Sequence, residues 1–202
     1  TGRKAVVVPN PVHPGFAFSP PRIGNSGKYA RVLLVGTKPN KNLERSVEAL
    51  TGMPVSLTVI GELTPSQRNL LNSSGLAFRN NRDLSPGELA QCYRETDLLC
   101  FTSLYEGFGM PIIEAQATGR PVVTSDRGAM KEVAGQGAHL VDPEDEASIR
   151  GGVMKVLEDR DYYNLLVERG LENVKRFDAE KVARKYMEIY KELMVASRRK
   201  GK

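Results

Sequence analysis

The sequence predicts an α/β protein whose core is a doubly wound parallel sheet. Short runs rich in Val, Leu and Ile recur along the chain and are separated by stretches with helical patterning. Apolar runs of this length are typical of strands covered on both faces. Because strands and helices alternate, right-handed crossovers must join the strands, and such crossovers build a parallel sheet. The predicted strands are residues 32–35, 56–60, 97–101, 121–124 and 139–141.

The helices between these strands begin at residues with clear N-terminal signals. Thr64 and Ser85 are each followed directly by proline and, at the third helical position, by Gln or Glu. This arrangement is the capping box, and it predicts that a helix begins at each of them. Asn42 is predicted to cap the helix after the first strand, and Asp178 to cap a long final helix.

Composition divides the chain into three parts. Residues 1–28 form an N-terminal segment which, from residue 9 onward, is so dense in proline and glycine that it predicts an extended interdomain linker. Residues 29–177 hold the alternating strands and helices, and residues 178–202 form the final helix with a basic tail. We therefore expect one sheet domain with a connection to a further domain in front of it.

The net charge of +5 resides in the tail. Residues 181–202 contain eight Lys or Arg and two Glu, so the rest of the chain is almost neutral. This distribution argues against a basic domain that binds nucleic acid. The tail ends Arg-Arg-Lys-Gly-Lys and is interpreted as a solvated end, with weak contact to an anionic membrane surface as the alternative.

Composition also bears on the compartment and on metal binding. The sequence has no run of about 18 apolar residues and no apolar leader, so we expect a cytoplasmic protein, peripheral to a membrane at most. A chain of 202 residues can fold without disulfides, and Cys92 and Cys100 are interpreted as buried, reduced thiols. With two histidines in the sequence, His13 and His139, a metal site has few ligands.

In a doubly wound sheet, ligands bind at the carboxyl ends of the strands, so the residues that follow each strand are candidates for the site. The first such loop, residues 36–42, reads Gly-Thr-Lys-Pro-Asn-Lys-Asn. Lys38 and Lys41 lie there beside a helix N-terminus, where amide N–H groups and an ammonium together favour a phosphate. Solvated lysines are the alternative interpretation. The loop lacks the glycine spacing of a Walker A motif.

The segment after the third predicted strand carries the strongest signal. Gly107 and Gly109 let the backbone approach a ligand, and Pro111 then starts a helix whose N-terminus favours an anion. Glu106 lies on the loop and Glu114 about a turn inside the helix, so the two carboxylates can contact different parts of one elongated ligand. In the alternative interpretation, Glu106 only interacts with the helix dipole and Glu114 is an ordinary glutamate of the helix.

One longer pattern resembles a known family. It consists of Glu-Gly-Phe-Gly-Met-Pro-Ile-Ile-Glu-Ala at 106–115, followed by Gly-Arg-Pro-Val-Val at 119–123. This pattern resembles the E-x7-E signature of retaining GT-B glycosyltransferases, in the family called GT4 or glycosyl transferases group 1. Supporting segments follow in the family's order at 36–42, 59–61, 85–89 and 125–132. The resemblance implies the C-terminal, Rossmann-like half of a GT-B enzyme, preceded by an acceptor-binding domain.

The resemblance also implies roles for individual residues. Glu114 would hold the ribose of a nucleoside-diphosphate sugar, whereas the catalytic candidates Glu106 and Lys41 would face the transferred sugar and neutralise the leaving diphosphate. Many members carry a cationic arginine where Thr37 stands, and Lys38 would supply the cation in its place. Residues 79–84 would line the pocket for the base. The full set of implied donor-binding residues is Gly36, Thr37, Lys38, Gly61, Arg82, Asp83, Leu84, Gly107, Phe108, Gly109, Met110, Pro111 and Glu114.

The implied activity is retaining transfer of a sugar from a nucleoside diphosphate to a glycan or lipid-linked acceptor, without a cofactor or a metal ion. One alternative is an isolated nucleotide-sugar-binding module without activity of its own. Another is a different GT-B enzyme, such as a nucleotide-sugar epimerase or a phosphorylase. Asp159-Arg160-Asp161 matches the Asp-x-Asp that binds manganese in the other major glycosyltransferase fold, but helix caps and turns use aspartate routinely, so no metal site is predicted.

Overall fold

The computed structural model describes residues 5–20 and 29–200, with side chains up to residue 194. The strands are β1 (Ala30–Val35), β2 (Val55–Ile60), β3 (Ala77–Asn81), β4 (Leu98–Phe101), β5 (Val122–Ser125) and β6 (Ala138–Val141). The helices are α1 (Leu43–Leu50), α2 (Pro65–Ser73), α3 (Pro86–Glu95), α4 (Met110–Ala117), α5 (Gly128–Ala134), α6 (Glu146–Glu158), α7 (Arg160–Val174) and α8 (Ala179–Lys200). Short 3-10 turns, Pro39–Lys41 and Lys175–Phe177, lie before α1 and α8.

The strands form one sheet in the order β3-β2-β1-β4-β5-β6, and every neighbouring pair is parallel. The predicted doubly wound parallel sheet is therefore confirmed. The strand order reverses between β1 and β4, which flank the topological switch point. The loops that follow these two strands meet at the edge of the sheet where ligands of this fold bind.

Helices cover both faces of the sheet. On β1, Val32 and Leu34 point into a core shared with α1 and α6, whereas Leu33 points into a second core shared with α3, α4 and α5. The alternation follows from the two-residue period of a strand. Burial on both faces explains why these strands read as continuous apolar runs in the sequence.

Five strands lie where the apolar runs predict them, with ends shifted by at most two residues. The sequence does not predict β3, whose residues Ala-Phe-Arg-Asn-Asn contain no apolar run. This strand forms the edge of the sheet, pairs with β2 on one side, and has exposed or half-buried side chains throughout. Because an edge strand has no second neighbour to exclude water, it carries a weaker hydrophobic signal.

Both capping boxes are confirmed. Thr64 accepts the Gln67 N–H at 3.2 Å, and the Gln67 side chain accepts the Thr64 N–H at 3.0 Å. Ser85 and Glu88 exchange the same two bonds at the start of α3. Asp178 accepts two backbone N–H groups of the first turn of α8, as the predicted cap requires.

The prediction that the Asn42 side chain caps α1 is wrong. Asn42 has a left-handed backbone with φ 58°, and its side-chain amide donates to the carbonyl groups of Thr102 at 3.1 Å and Pro143 at 2.7 Å. Buried carbonyl oxygens need donors, and the Asn42 amide supplies one to the loops that follow β4 and β6. The residue therefore ties three loops together at the switch point.

The N-terminal segment packs against the α3 and α4 side of the domain. Phe16 is 7% exposed and belongs to the second core. The Val12 N–H donates to the Phe177 carbonyl at 2.9 Å, and the buried Arg120 donates to the Ser19 carbonyl at 2.8 Å. The predicted linker is described as far as residue 20 and contains neither helix nor strand there; residues 21–28 fall outside the described residues.

The cysteines and the final helix complete the fold. Cys92 in α3 and Cys100 in β4 are free and buried, as predicted, and burial raises the pKa of the Cys100 thiol to about 12. The helix α8 exposes large apolar side chains, namely Tyr186, Met187, Tyr190, Leu193 and Met194. The basic residues 198–202 lie beyond the described side chains, so their membrane contact stays a prediction. Within the described parts of the chain, no helix combines the length and apolarity that a membrane crossing requires.

Candidate active site

The loop after β1 depends on a glycine that makes room for a lysine. Gly36 has a left-handed backbone with φ +93°, and a Cβ atom there would lie 2.7 Å from Cγ of Lys41 and 2.8 Å from its Cδ and Cε. The aliphatic part of Lys41 therefore lies directly over the Gly36 backbone. The 3-10 turn Pro39–Lys41 then turns the side chain toward the loop that follows β4.

Lys41 and Glu106 form an ion pair across the switch point. The Lys41 ammonium lies 2.7 Å from Oε1 of Glu106, and the two side chains are 20% and 14% exposed. The same ammonium lies 5.0 Å from the ring centroid of Phe101, a distance at which an aromatic face attracts a cation. The structure thus brings together the two residues that the resemblance marks as catalytic, although neither position reveals the contact in the sequence.

Asn40 and Leu104 hold the same two loops together through the backbone. The Leu104 N–H donates to the Asn40 carbonyl at 2.8 Å. The Asn40 side-chain amide donates to the Tyr105 carbonyl at 3.2 Å and lies 3.5 Å from Oε1 of Glu106. Sequence reasoning missed Asn40, because asparagine in a turn-rich loop is ordinary.

Buried hydroxyl groups support these loops from below. Ser46 Oγ and Thr102 Oγ1 are 2.8 Å apart, and Ser125 Oγ donates to the Ser103 carbonyl at 2.6 Å. The hydroxyl of Ser103 is itself buried and has no hydrogen-bond partner among the described residues. Most of the site's backbone is therefore fixed before a ligand binds, which preserves binding free energy that ordering the loops would otherwise consume.

The turn before α4 contains the two predicted glycines and leads into the predicted helix. Gly109 has φ +107°, and α4 begins at Met110, with Pro111 at its second position. Gly107 is exposed, whereas Phe108 packs edge-on against Phe177 with ring centroids 5.7 Å apart. The Phe108 side chain thus anchors the turn, whose backbone is exposed at Gly107 and buried at Gly109.

Glu114 lies in a different environment from Glu106. Its side chain faces α3, where the hydroxyl of the buried Tyr93 donates to Oε2 at 2.7 Å, and the residue is 9% exposed. Burial raises the pKa of the Glu114 carboxyl, an effect that the Tyr93 hydrogen bond and the charge of His13 oppose. The pKa of Tyr93 is raised well above its usual value, chiefly by burial, so its hydroxyl is a donor at neutral pH. Sequence reasoning missed Tyr93, which reads as an ordinary core residue of α3.

A cavity of about 780 Å³ adjoins the Lys41 side of the site. Four of the predicted donor-binding residues line it, namely Gly36, Thr37, Lys38 and Gly61, together with Lys41. The opposite wall consists of residues 62–65. Thr37 donates from Oγ1 to the Glu62 carbonyl at 2.6 Å, so this residue closes the loop where many family members carry a cation.

The three predicted base-contacting residues lie on the loop between β3 and α3. Arg82 is largely exposed, with weak ion pairs to Glu62 at 3.8 Å and to Asp83 at 3.9 Å. Asp83 has a left-handed backbone with φ 51°, and Leu84 packs on the second core. The structure thus places Arg82 beside a residue of the 780 Å³ cavity, and its role in binding stays a prediction.

One aspartate of the Asp159-Arg160-Asp161 motif, which matches a manganese-binding pattern, caps a helix. Asp159 accepts the Tyr162 N–H at 2.9 Å and caps α7, and Asp145 likewise accepts the Ala147 N–H and caps α6. In the described residues, no cluster of three or more His, Cys, Asp or Glu could hold a metal ion.

Gly36→Ala should displace Lys41 as well as strain the backbone. Gly52→Ala is the matched control, because Gly52 has a similar φ of +79° but open space around its Cβ position. Each alanine should lower the free energy of unfolding by about 1 kcal/mol, because each holds a side chain in the left-handed region. We expect only Gly36→Ala to weaken nucleoside diphosphate binding as well, by about tenfold in calorimetry. Equal affinities of the two variants would contradict the packing role of Gly36.

Comparison with solved structures assigns the class of the fold. The sucrose-phosphate synthase of Thermosynechococcus elongatus superposes with a TM-score of 0.80 at 23% identity, over 94% of this chain and 52% of that one. The C-terminal domain of a group 1 glycosyltransferase from Francisella tularensis superposes with a TM-score of 0.62 at 23% identity, over 74% of this chain and 85% of that one. The fold is that of the Rossmann-like, C-terminal half of a GT-B glycosyltransferase.

Sequence comparison assigns the family. The family described as glycosyl transferases group 1 matches residues 18–173, and this chain belongs to it. A phosphatidyl-myo-inositol mannosyltransferase of Mycobacterium leprae is 29% identical over 94% of this chain and 54% of its own length. The chain therefore spans about half the length of that relative. Membership of this family confirms the resemblance drawn from residues 106–115.

Proposed function

We propose that this domain binds a nucleoside-diphosphate sugar at the switch point of its sheet and supplies the donor half of a retaining glycosyltransferase. The observation that carries the proposal is the Lys41–Glu106 pair, in which a cation and an anion are held 2.7 Å apart beside the N-terminus of α4. Breaking a glycosyl phosphate bond develops negative charge on the diphosphate and positive charge at the anomeric carbon. A site that holds one group of each sign can stabilise both.

The two ends of the donor would occupy the two environments that the structure separates. Lys41 and the backbone of residues 107–110 would hold the diphosphate and the sugar. Glu114 would accept hydrogen bonds from the ribose hydroxyls, with Oε2 already fixed by Tyr93. Because the two carboxylates contact different elements, an elongated ligand could reach both without drawing them together.

In the proposed reaction, the acceptor hydroxyl attacks the anomeric carbon on the face that the diphosphate leaves. The bond between the anomeric carbon and the diphosphate oxygen breaks, and a bond between the anomeric carbon and the acceptor oxygen forms. The proton of the acceptor hydroxyl passes to the leaving phosphate. Glu106 would orient the sugar and stabilise its developing positive charge without forming a covalent intermediate. We expect no metal ion to take part, and we expect an N-terminal domain of the enzyme to bind the glycan or lipid-linked acceptor.

The donor base and sugar can be tested on this chain. The nucleotide panel is UDP, GDP and ADP, assayed by calorimetry and by the shift in melting temperature. The Mycobacterium leprae relative is named a mannosyltransferase. The first donor to test is therefore the nucleoside diphosphate that binds best with mannose attached to its terminal phosphate, and the corresponding glucose compound is its control. We expect one diphosphate to bind selectively. The proposal is wrong if none of the three changes the melting temperature at millimolar concentration.

Product analysis separates the remaining alternatives. A new glycoside of retained configuration supports the proposal, whereas an epimerised sugar or a sugar phosphate would assign the chain to an epimerase or a phosphorylase. Selective binding without any turnover, even in the presence of the protein's remaining part, would identify a binding module.

A further inference from the structure

A chain of side-chain contacts leads from His13 to Glu114, although the two residues are far apart in the sequence. Its imidazole packs edge-on against Phe16, with ring centroids 6.3 Å apart, and Phe16 packs edge-on against Tyr93 at 5.4 Å. The Tyr93 hydroxyl in turn donates to the Glu114 carboxylate. The charge of His13 opposes the rise in the pKa of Glu114 that burial causes. Phe16 and Tyr93 are buried, but the His13 side chain is exposed.

A tight turn fixes the orientation of this ring. The Gly15 N–H donates to Nδ1 of His13 at 3.0 Å, and the Phe16 N–H donates to the His13 carbonyl at 3.0 Å. Because Nδ1 accepts a hydrogen bond, the neutral ring carries its proton on Nε2. No described residue accepts a hydrogen bond from that Nε2–H group. The exposed ring therefore offers one donor at the end of the contact chain that leads to Glu114.

The segment that carries His13 is anchored on both sides of the ring. The Val12 N–H donates to the Phe177 carbonyl, and the Arg120 guanidinium holds the Ser19 carbonyl. The Arg94 side chain of α3 also donates to the Gly15 carbonyl, at 3.5 Å. These contacts fix the position of the imidazole before any ligand arrives, so binding does not have to order this segment.

We propose that His13 is a further donor-binding residue whose Nε2–H group donates to a ribose hydroxyl oxygen of the nucleoside held by Glu114. Each ribose hydroxyl has one proton and two lone pairs. A carboxylate can accept the proton, and an imidazole N–H can then satisfy a lone pair of the same oxygen. This inference rests on the proposed nucleotide site and adds to it a residue outside the sheet domain's own loops.

The test compares His13→Asn with His13→Ala in the 202-residue chain. Asparagine can accept the Gly15 N–H and keep the turn, but its shorter amide does not reach the position of Nε2. Both variants should bind the preferred diphosphate of the UDP, GDP and ADP panel about 3- to 10-fold more weakly than wild type, since each lacks one neutral hydrogen bond. Inorganic pyrophosphate, which has no nucleoside, should bind all three proteins equally. Melting temperatures report whether the turn survives.

The outcomes distinguish this inference from the proposed function. Wild-type affinity in His13→Asn, with or without a loss in His13→Ala, means that the residue at most supports the turn, and the inference is then wrong. If Glu114→Gln weakens binding while both His13 variants bind normally, the nucleotide site stands and only His13 is rejected. If the wild-type chain binds no nucleotide, both proposals fail.

Discussion

Lys41→Met should weaken nucleoside diphosphate binding by roughly 50-fold, or about 2.3 kcal/mol, which lies within the range for hydrogen bonds to charged groups. The methionine keeps the apolar stem that packs over Gly36 and removes the ammonium that lies 2.7 Å from Glu106. We expect calorimetry with the preferred diphosphate to show the loss, at a melting temperature close to that of wild type.

Two matched variants decide whether the effect is specific to Lys41. Lys155→Met removes the same charge from an exposed position on α6 and should change affinity by no more than about threefold. Glu106→Gln should instead tighten diphosphate binding about threefold, because Lys41 loses the anion that competes for it. Glycosyl transfer by the same variant should fall. Equal losses in both lysine variants would mean that the site responds only to overall charge.

Glu114→Gln should weaken nucleotide binding by about 30-fold while leaving the fold as stable as wild type or more so. Tyr93 can donate to the glutamine carbonyl as it does to Oε2, so the buried hydrogen bond survives. The ribose would lose a charged acceptor, which accounts for the loss of affinity. Calorimetry and thermal unfolding of the same variant measure the two effects.

The pH dependence of this variant follows from the raised pKa of Glu114. Because burial favours the protonated carboxyl, the wild-type fold loses stability as the pH rises from the ordinary glutamate range through the raised pKa. The stability advantage of glutamine should therefore be largest near neutral pH and vanish below the ordinary range. As the pH falls through the raised pKa, nucleotide binding by wild type should weaken more steeply than binding by the variant, because in the variant only the phosphate of the ligand gains a proton. Parallel pH profiles of the two proteins would contradict this account.

The sequence predicts the parts of this fold that local chemistry determines. Buried strands such as β1 and capped starts such as Thr64 carry their signals within a few residues, and both are confirmed. The edge strand β3 carries no such signal, because its polar side chains fit a strand only beside β2. The cap predicted at Asn42 fails for a related reason. Its residue type suits a helix cap, but its side-chain amide donates to two carbonyl groups that are distant in the sequence.

The candidate site is predictable only in part. The motif marks Glu106 and Glu114, and the first loop marks Lys41, but their roles in binding remain predictions. The contacts of these residues come from elements that the chain brings together in space, as when Tyr93 of α3 donates to Glu114. Spacing along the chain does not encode such contacts, so no pattern in the sequence could have selected Tyr93.

The Lys41–Glu106 pair has a consequence for turnover. An unpaired ammonium near a helix N-terminus would bind chloride, phosphate and nucleotides with little selectivity. Because Lys41 is paired with Glu106, such anions must compete with this carboxylate for the ammonium. A donor must offer enough contacts elsewhere to draw the lysine away from its neighbour. In the proposed reaction, the same carboxylate would compete for the ammonium again after transfer, so Glu106 would both select the donor and speed release of the diphosphate.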